Sequence, residues 1–118
     1  MPAKPLSPKQ QQRRRKKLRE MRKNLKRRLR NRAVRTRVKN VSKEFKAMLE
    51  ELREAVRVGK SEEEIQQLRA KLDEQLKLAY KVIDMAYSKG VFHRNEAARR
   101  KSRLASKYAK LLKELQLT

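Results

Sequence analysis

Five consecutive cations, Arg13, Arg14, Arg15, Lys16 and Lys17, are followed by Lys23 and by the run Lys26, Arg27, Arg28, Arg30, Asn31 and Arg32. Residue types in this pattern do one kind of chemistry, the neutralisation of phosphate. Residues 1–46 hold 20 Lys or Arg against two acids, Glu20 and Glu44, a local charge of +18 within a total of +23. Like charge at this density repels itself until a polyanion neutralises it. Terminal blocks of this kind serve as arms for nucleic acid. Solubility alone does not call for so large a field of one sign. The remainder does not share the excess, because residues 47–88 sum to −2 and residues 89–118 to +7. Successive residues on a helix are about 100° apart, so five cations in a row charge every face. That suits an arm surrounded by phosphates better than one face laid against one duplex.

A second candidate site is Arg94, Asn95, Arg99, Arg100, Lys101, Ser102 and Arg103, with Glu96, Ala97 and Ala98 among them. It opens a later helix. The free N–H groups and positive dipole end of a helix start can hold a phosphate, with Arg94 and Asn95 beside them. Ala97 and Ala98 either admit another backbone closely or let helices pack tightly. His93 stands alone before this helix, which suits an N-terminal cap. Tyr80, Tyr87, Tyr108, Phe45 and Phe92 could stack on bases, but their helical spacing favours the core. No Cys is present and the single His has no partner cluster, so no metal or cofactor site is expected. There is no phosphate loop and no nucleophile–base pair, and a chain 42% charged has little core in which to enclose a small-molecule substrate. The chain is not expected to be an enzyme.

The elements that position these residues are helices. All three prolines fall within the first eight residues, and strong helix formers fill most of the rest. Residues 1–7 read as a tail, and Pro8 suits the first position of a helix. Nothing breaks the pattern from there to Val58. Val34, Val38, Val41, Phe45, Met48, Leu52 and Ala55 recur at alternating spacings of four and three, the seam of a helix packed on other helices. Leu18, Met21, Leu25 and Leu29 form a thinner stripe among the cations. Gly59 stops the first helix as a C′ residue does. Ser61 and Glu64 form a capping box, with Glu62 and Glu63 beside them on the dipole's positive end. The second helix carries Ile65, Leu68, Leu72, Leu76, Ala79, Ile83 and Ala86, and Gly90 closes it. After the apolar connector Val91-Phe92, the third carries Ala97, Ala98, Leu104, Ala105, Tyr108, Leu111, Leu112 and Leu115. Short loops make neighbouring helices antiparallel. The expected fold is all-α, a three-helix up-down-up bundle with a long, protruding basic first helix. Its helices cover about 8–58, 61–88 and 93–115 of a single domain, residues 8–118. The acidic group Glu62, Glu63, Glu64, Asp73 and Glu74 should point away from a polyanion.

No apolar run approaches the roughly 18 residues of a membrane span, and the first residues have no apolar secretory region. They are Arg-rich and acid-poor like an organellar transit peptide, but lack its serines.

The polyanion could be DNA. Asn95, Ala97-Ala98 and Ser102-Arg103 approach the basic region of a leucine zipper, but the alanine pair comes one residue early. Only Leu104 and Leu111 then follow at heptad spacing, where several heptads are needed. An architectural DNA-binding protein is the other alternative.

The stretch from Gly90 to Leu104, Gly-Val-Phe-His-Arg-Asn-Glu-Ala-Ala-Arg-Arg-Lys-Ser-Arg-Leu, resembles the signature of the bacterial small-subunit ribosomal protein twenty family. Leu25 to Arg32, with Arg35, Thr36, Arg37, Val38 and Lys39, is similar to that family's first-helix motif. The resemblance covers roughly residues 22–112. It implies a protein that binds 16S rRNA directly, early in assembly of the small (30S) subunit, and so works in the cytoplasm within the ribosome. It further implies a three-helix bundle touching the 5′ domain and the long penultimate stem near the 3′ end. RNA contact then falls on the matching basic positions from Lys26 to Lys39 and from His93 to Arg103. Such a protein acts as one copy, with no membrane and no small-molecule substrate. Residues 1–23 are longer and richer in Arg and Gln than the family's usual opening.

Overall fold

The structure, a computed structural model, describes residues 4–117. Met1 to Ala3 of the expected tail, and Thr118, lie outside the described residues. Among the described residues the secondary structure is entirely helical, with α1 at Pro8–Arg57, α2 at Glu62–Ser88 and α3 at Arg94–Glu114. The chain divides into a unit ending at Ala33 and one beginning at Val34, and α1 contributes to both.

Each helix end has a local cause. Ser7 and Gln10 form a capping box at the start of α1, the Ser7 hydroxyl accepting from the Gln10 N–H at 3.3 Å and the Gln10 side chain accepting from the Ser7 N–H at 3.0 Å. Pro8 follows at the first helical position, where its missing N–H costs nothing. Ser61 caps α2, its hydroxyl accepting from the Glu64 N–H at 3.3 Å. His93 caps α3, with Nδ1 accepting from the Asn95 N–H at 3.2 Å. Gly59 and Gly90 have φ of +77° and +74°. At Gly59 the Lys60 N–H reaches the Ala55 carbonyl and at Gly90 the Val91 N–H reaches the Ala86 carbonyl, the paired bonds of a Schellman ending. Gln116 closes α3 in the same way at φ +57°, with the Leu117 N–H donating to the Leu112 carbonyl.

From Val34 onward the three helices share one core. Phe45, Leu52, Leu72 and Ala86 are wholly buried, and Val38, Val82, Ile83, Leu104 and Leu111 nearly so. Phe45 of α1 meets Tyr108 of α3 edge-on at 5.9 Å, a pairing worth about 1 kcal/mol beyond area burial. Eight residues along α1, Arg53 reaches Glu114 of α3 at 3.2 Å, so these helices run parallel. Gln75 of α2 donates to the Val41 carbonyl, while Tyr108 and Lys101 of α3 reach Arg69 and Asp84 of α2. That order makes α2 antiparallel to both, the up-down-up arrangement.

The core differs from the sequence expectation at five residues. Leu49 and Val82 are buried, at 8% and 2% exposure. Each lies beside a stripe residue, because a helix between two neighbours buries a wider face than a two-helix seam. Met48 is only partly buried. Ala98 and Tyr87 are exposed. Each follows a buried residue, Ala97 and Ala86, and so sits about 100° around the helix from the face that packs. Of the five aromatic residues expected in the core, Phe45, Phe92 and Tyr108 are buried, Tyr80 is half-buried and Tyr87 lies outside it.

Candidate nucleic-acid interface

In the unit ending at Ala33, every described residue from 8 to 30 is exposed. Arg13 to Lys17, Lys23, Lys26, Arg27, Arg28, Arg30 and Arg32 therefore offer charge on all sides of one helical rod. Leu18, Met21, Leu25 and Leu29 are 45–60% exposed within it. The step from Leu29 to Val34 is five residues, so this stripe does not continue the spacing of the core seam. Asn31 is half-buried, and its amide oxygen has no hydrogen-bond partner.

In the unit beginning at Val34, Arg35, Thr36, Arg37 and Lys39 occupy exposed positions of α1. His93, Arg94, Asn95, Arg99, Ser102 and Arg103 are exposed at the start of α3. The contacts of Phe45 with Tyr108 and of Arg53 with Glu114 fix the parallel register. That register sets the Lys39 turn of α1 beside the α3 turns carrying Arg99 to Arg103. Two basic segments more than 50 residues apart in sequence thus share one end of the bundle.

Members of the α3 run differ in what they are free to do. The Arg100 guanidinium stacks over the Phe92 ring at 4.5 Å and pairs with Glu96 at 3.0 Å. Lys101 pairs with Asp84 of α2 at 2.9 Å and lies 5.8 Å from the Tyr80 ring centre. These two cations are tied into the bundle surface. Among the described residues, Arg94, Arg99 and Arg103 have no acid within ion-pair distance. The His93 ring spends Nδ1 on its cap.

One cationic group was not visible in the basic runs. Lys46 of α1 and Lys107 of α3 meet across the groove between the parallel helices, with Arg103 nearby. The Lys46 ammonium is held below its ordinary range chiefly by Lys107, then by burial and Arg103. In sequence Lys46 stands among mixed charges, and Lys107 follows the basic run of α3 without belonging to it. The only trace is the spacing of Arg103, Lys107 and Lys110 along one face of α3.

Among the described residues no group of His, Cys, Asp or Glu is arranged to hold a metal ion, and no helix is long and apolar enough to cross a membrane. The arrangement can neutralise phosphates and exclude the acidic α2 start from that task.

A sequence model of the family described as ribosomal protein S20 matches residues 10–109. Three proteins named small ribosomal subunit protein bS20 illustrate the similarity. That of Kosmotoga olearia is 41% identical over 87 residues, 74% of this chain and 74% of its own. That of Thermosipho melanesiensis is 45% identical over 83 residues, 70% of this chain and 76% of its own. That of Kineococcus radiotolerans is 41% identical over 88 residues, 75% of this chain and 85% of its own. No solved structure matches the chain.

Proposed function

The chain belongs to the ribosomal protein S20 family, whose members are structural components of the small ribosomal subunit and not enzymes, and we propose that it binds 16S rRNA directly and helps assemble and stabilise that subunit. The family match spans both basic segments, residues 26–39 and 93–103. The observation that carries the reading is the placement of Arg35 to Lys39 and His93 to Arg103 at one end of the bundle, where Glu96 and Asp84 are already paired. A single copy works within the ribosome in the cytoplasm. Its contacts fall on the 5′ domain and on the long stem near the 3′ end.

Most contacts are to phosphate and ribose, which position the protein and release counterions. Duplex RNA has a major groove too narrow for side chains, so shape and backbone are read in preference to base edges. The bundle supplies a rigid wedge at converging RNA helices. The residues up to Arg32 supply a rod charged on every face, suited to lying between strands.

The test is footprinting of 16S rRNA in small subunits with and without the protein. Protection should fall on segments of the 5′ domain and the 3′-proximal stem. Protection confined to the particle's solvent side, with Arg99 and Arg103 dispensable for incorporation, would refute direct clamping. A preference for duplex DNA over structured rRNA in competition would favour the architectural DNA-binding alternative.

A further inference from the structure

Lys46 and Lys107 occupy facing positions on parallel helices, and Arg103 lies one turn before Lys107. Lys46, Leu49, Arg53, Lys107, Lys110 and Leu111 line a groove of about 360 Å³ there. Leu49 and Leu111 are buried, at 8% and 3% exposure, so its floor belongs to the rigid core. Two carboxylates also border it, Glu50 and Glu114. Both are turned to Arg53, at 4.0 Å and 3.2 Å, further along the groove. No acid lies within ion-pair distance of Lys46, Arg103 or Lys107 among the described residues.

A fold that sets two ammonium groups together without a counter-ion works against itself. The chain could have placed an acid opposite Lys107, as it placed Glu114 opposite Arg53. Instead Lys46 and Lys107 face each other across an apolar floor, with Arg103 one turn before Lys107 on the same face of α3. Resting on the rRNA-binding reading, we infer that Lys46, Arg103 and Lys107 hold a backbone phosphate of the RNA. This contact point lies in the α1–α3 groove, beyond the two basic runs. The ligand is a phosphodiester within a strand, because Lys110 continues the positive lining along the groove.

The experiment measures retention of in vitro transcribed bacterial 16S rRNA by the full chain over a series of salt concentrations. The variants are the double substitution Lys46→Met with Lys107→Met and the charge-keeping double substitution Lys46→Arg with Lys107→Arg. Loss of one phosphate contact should shrink the log–log salt slope by about one and weaken binding several-fold at low salt. The arginine pair should bind as the parent does. Thermal unfolding of the free methionine variant should be unchanged or shifted upward, because a repulsion is removed. A structural pair would shift it downward. If the parent binds rRNA and the methionine variant binds equally with the same slope, the groove is not a phosphate site, although the rRNA reading stands. A drop in binding that accompanies lowered thermal stability and is not rescued by the arginine pair also overturns it. Failure of the parent itself to bind rRNA overturns the functional reading and this site together.

Discussion

At the scale of single residues, Arg100 is tied into the fold while Arg103 is exposed with no acid within ion-pair distance among the described residues. Arg100 covers the buried Phe92 ring and pairs with Glu96 one turn back. A half-exposed cation–π contact and an i,i+4 pair together contribute on the order of 1 kcal/mol. Arg100→Ala should lower unfolding stability by about that amount in a urea titration. Arg103→Ala should leave stability unchanged and weaken rRNA binding. A similar sign argument applies to the left-handed positions. A Cβ added at Gly59 or Gly90 meets nothing within 4 Å, so alanine there costs only the strain of positive φ, about 1–2 kcal/mol. Gln116 already bears that strain at φ +57°. Gln116→Gly should stabilise by up to about 1 kcal/mol in the same titration. The Tyr108 phenol is pushed up from its usual range, first by burial and then by Asp73. The folded state therefore keeps its proton longer than the unfolded chain. The stability this lends is complete below about pH 10 and is lost as pH rises through the folded value. Ultraviolet absorption during alkaline titration should show Tyr108 ionising above the usual tyrosine range, and an ionisation at or below that range would refute this.

At the scale of elements, α1 is one helix held in two ways. From Val34 to Ala55 it is held by its core face. From Pro8 to Arg30 it buries nothing, so propensity and the Ser7 cap hold it. Arg13 and Lys17, Arg15 and Arg19, Arg22 and Lys26, and Lys23 and Arg27 are like charges four residues apart. Each such pair costs about 0.2–0.5 kcal/mol. Anions should therefore raise the helicity of this stretch. In the free protein at low salt, amides up to Arg30 should exchange quickly while those from Ile65 to Ile83 are protected, and bound rRNA should slow the former. Equal protection without RNA would show that the stretch needs no polyanion. The helix boundaries were legible because their causes are local: a capping serine at 61, glycines at 59 and 90, a proline at 8. The Ser7–Gln10 box is equally local, although Gln at its third position stands in a polar run that offers no apolar periodicity to mark a helix start. The burial of Val82 and Leu49 and the exposure of Tyr87 depend on which neighbour each face meets, and spacing along one helix does not contain that. Lys46 with Lys107 was illegible for the same reason, since only the parallel register of α1 and α3 brings them together.

At the scale of the whole molecule, the charge of +23 makes salt act with opposite signs on two properties. Within the unit from Val34 onward, cations also outnumber acids, 21 to 12, and its inter-helix ion pairs, Arg53–Glu114 and Lys101–Asp84, are solvent-exposed. Exposed pairs contribute only about 0–1 kcal/mol each. Net repulsion, including that of Lys46 with Lys107, should outweigh them. Screening becomes strong as the Debye length falls from about 10 Å at 0.1 M to about 3 Å at 1 M. The thermal midpoint of the free protein should therefore climb with monovalent salt. Affinity for rRNA should move the other way. Neutralising about six or more phosphates gives a log–log slope of several units, on the order of a thousandfold loss between about 50 and 200 mM salt. Apolar packing alone predicts little salt effect on either quantity over that range. Specific ion pairing within the protein predicts that both fall together. Parallel melting and filter-binding series in one buffer distinguish these cases. An affinity that does not change with salt would eliminate phosphate neutralisation as the basis of binding, and a falling midpoint would show that the internal ion pairs outweigh the repulsion.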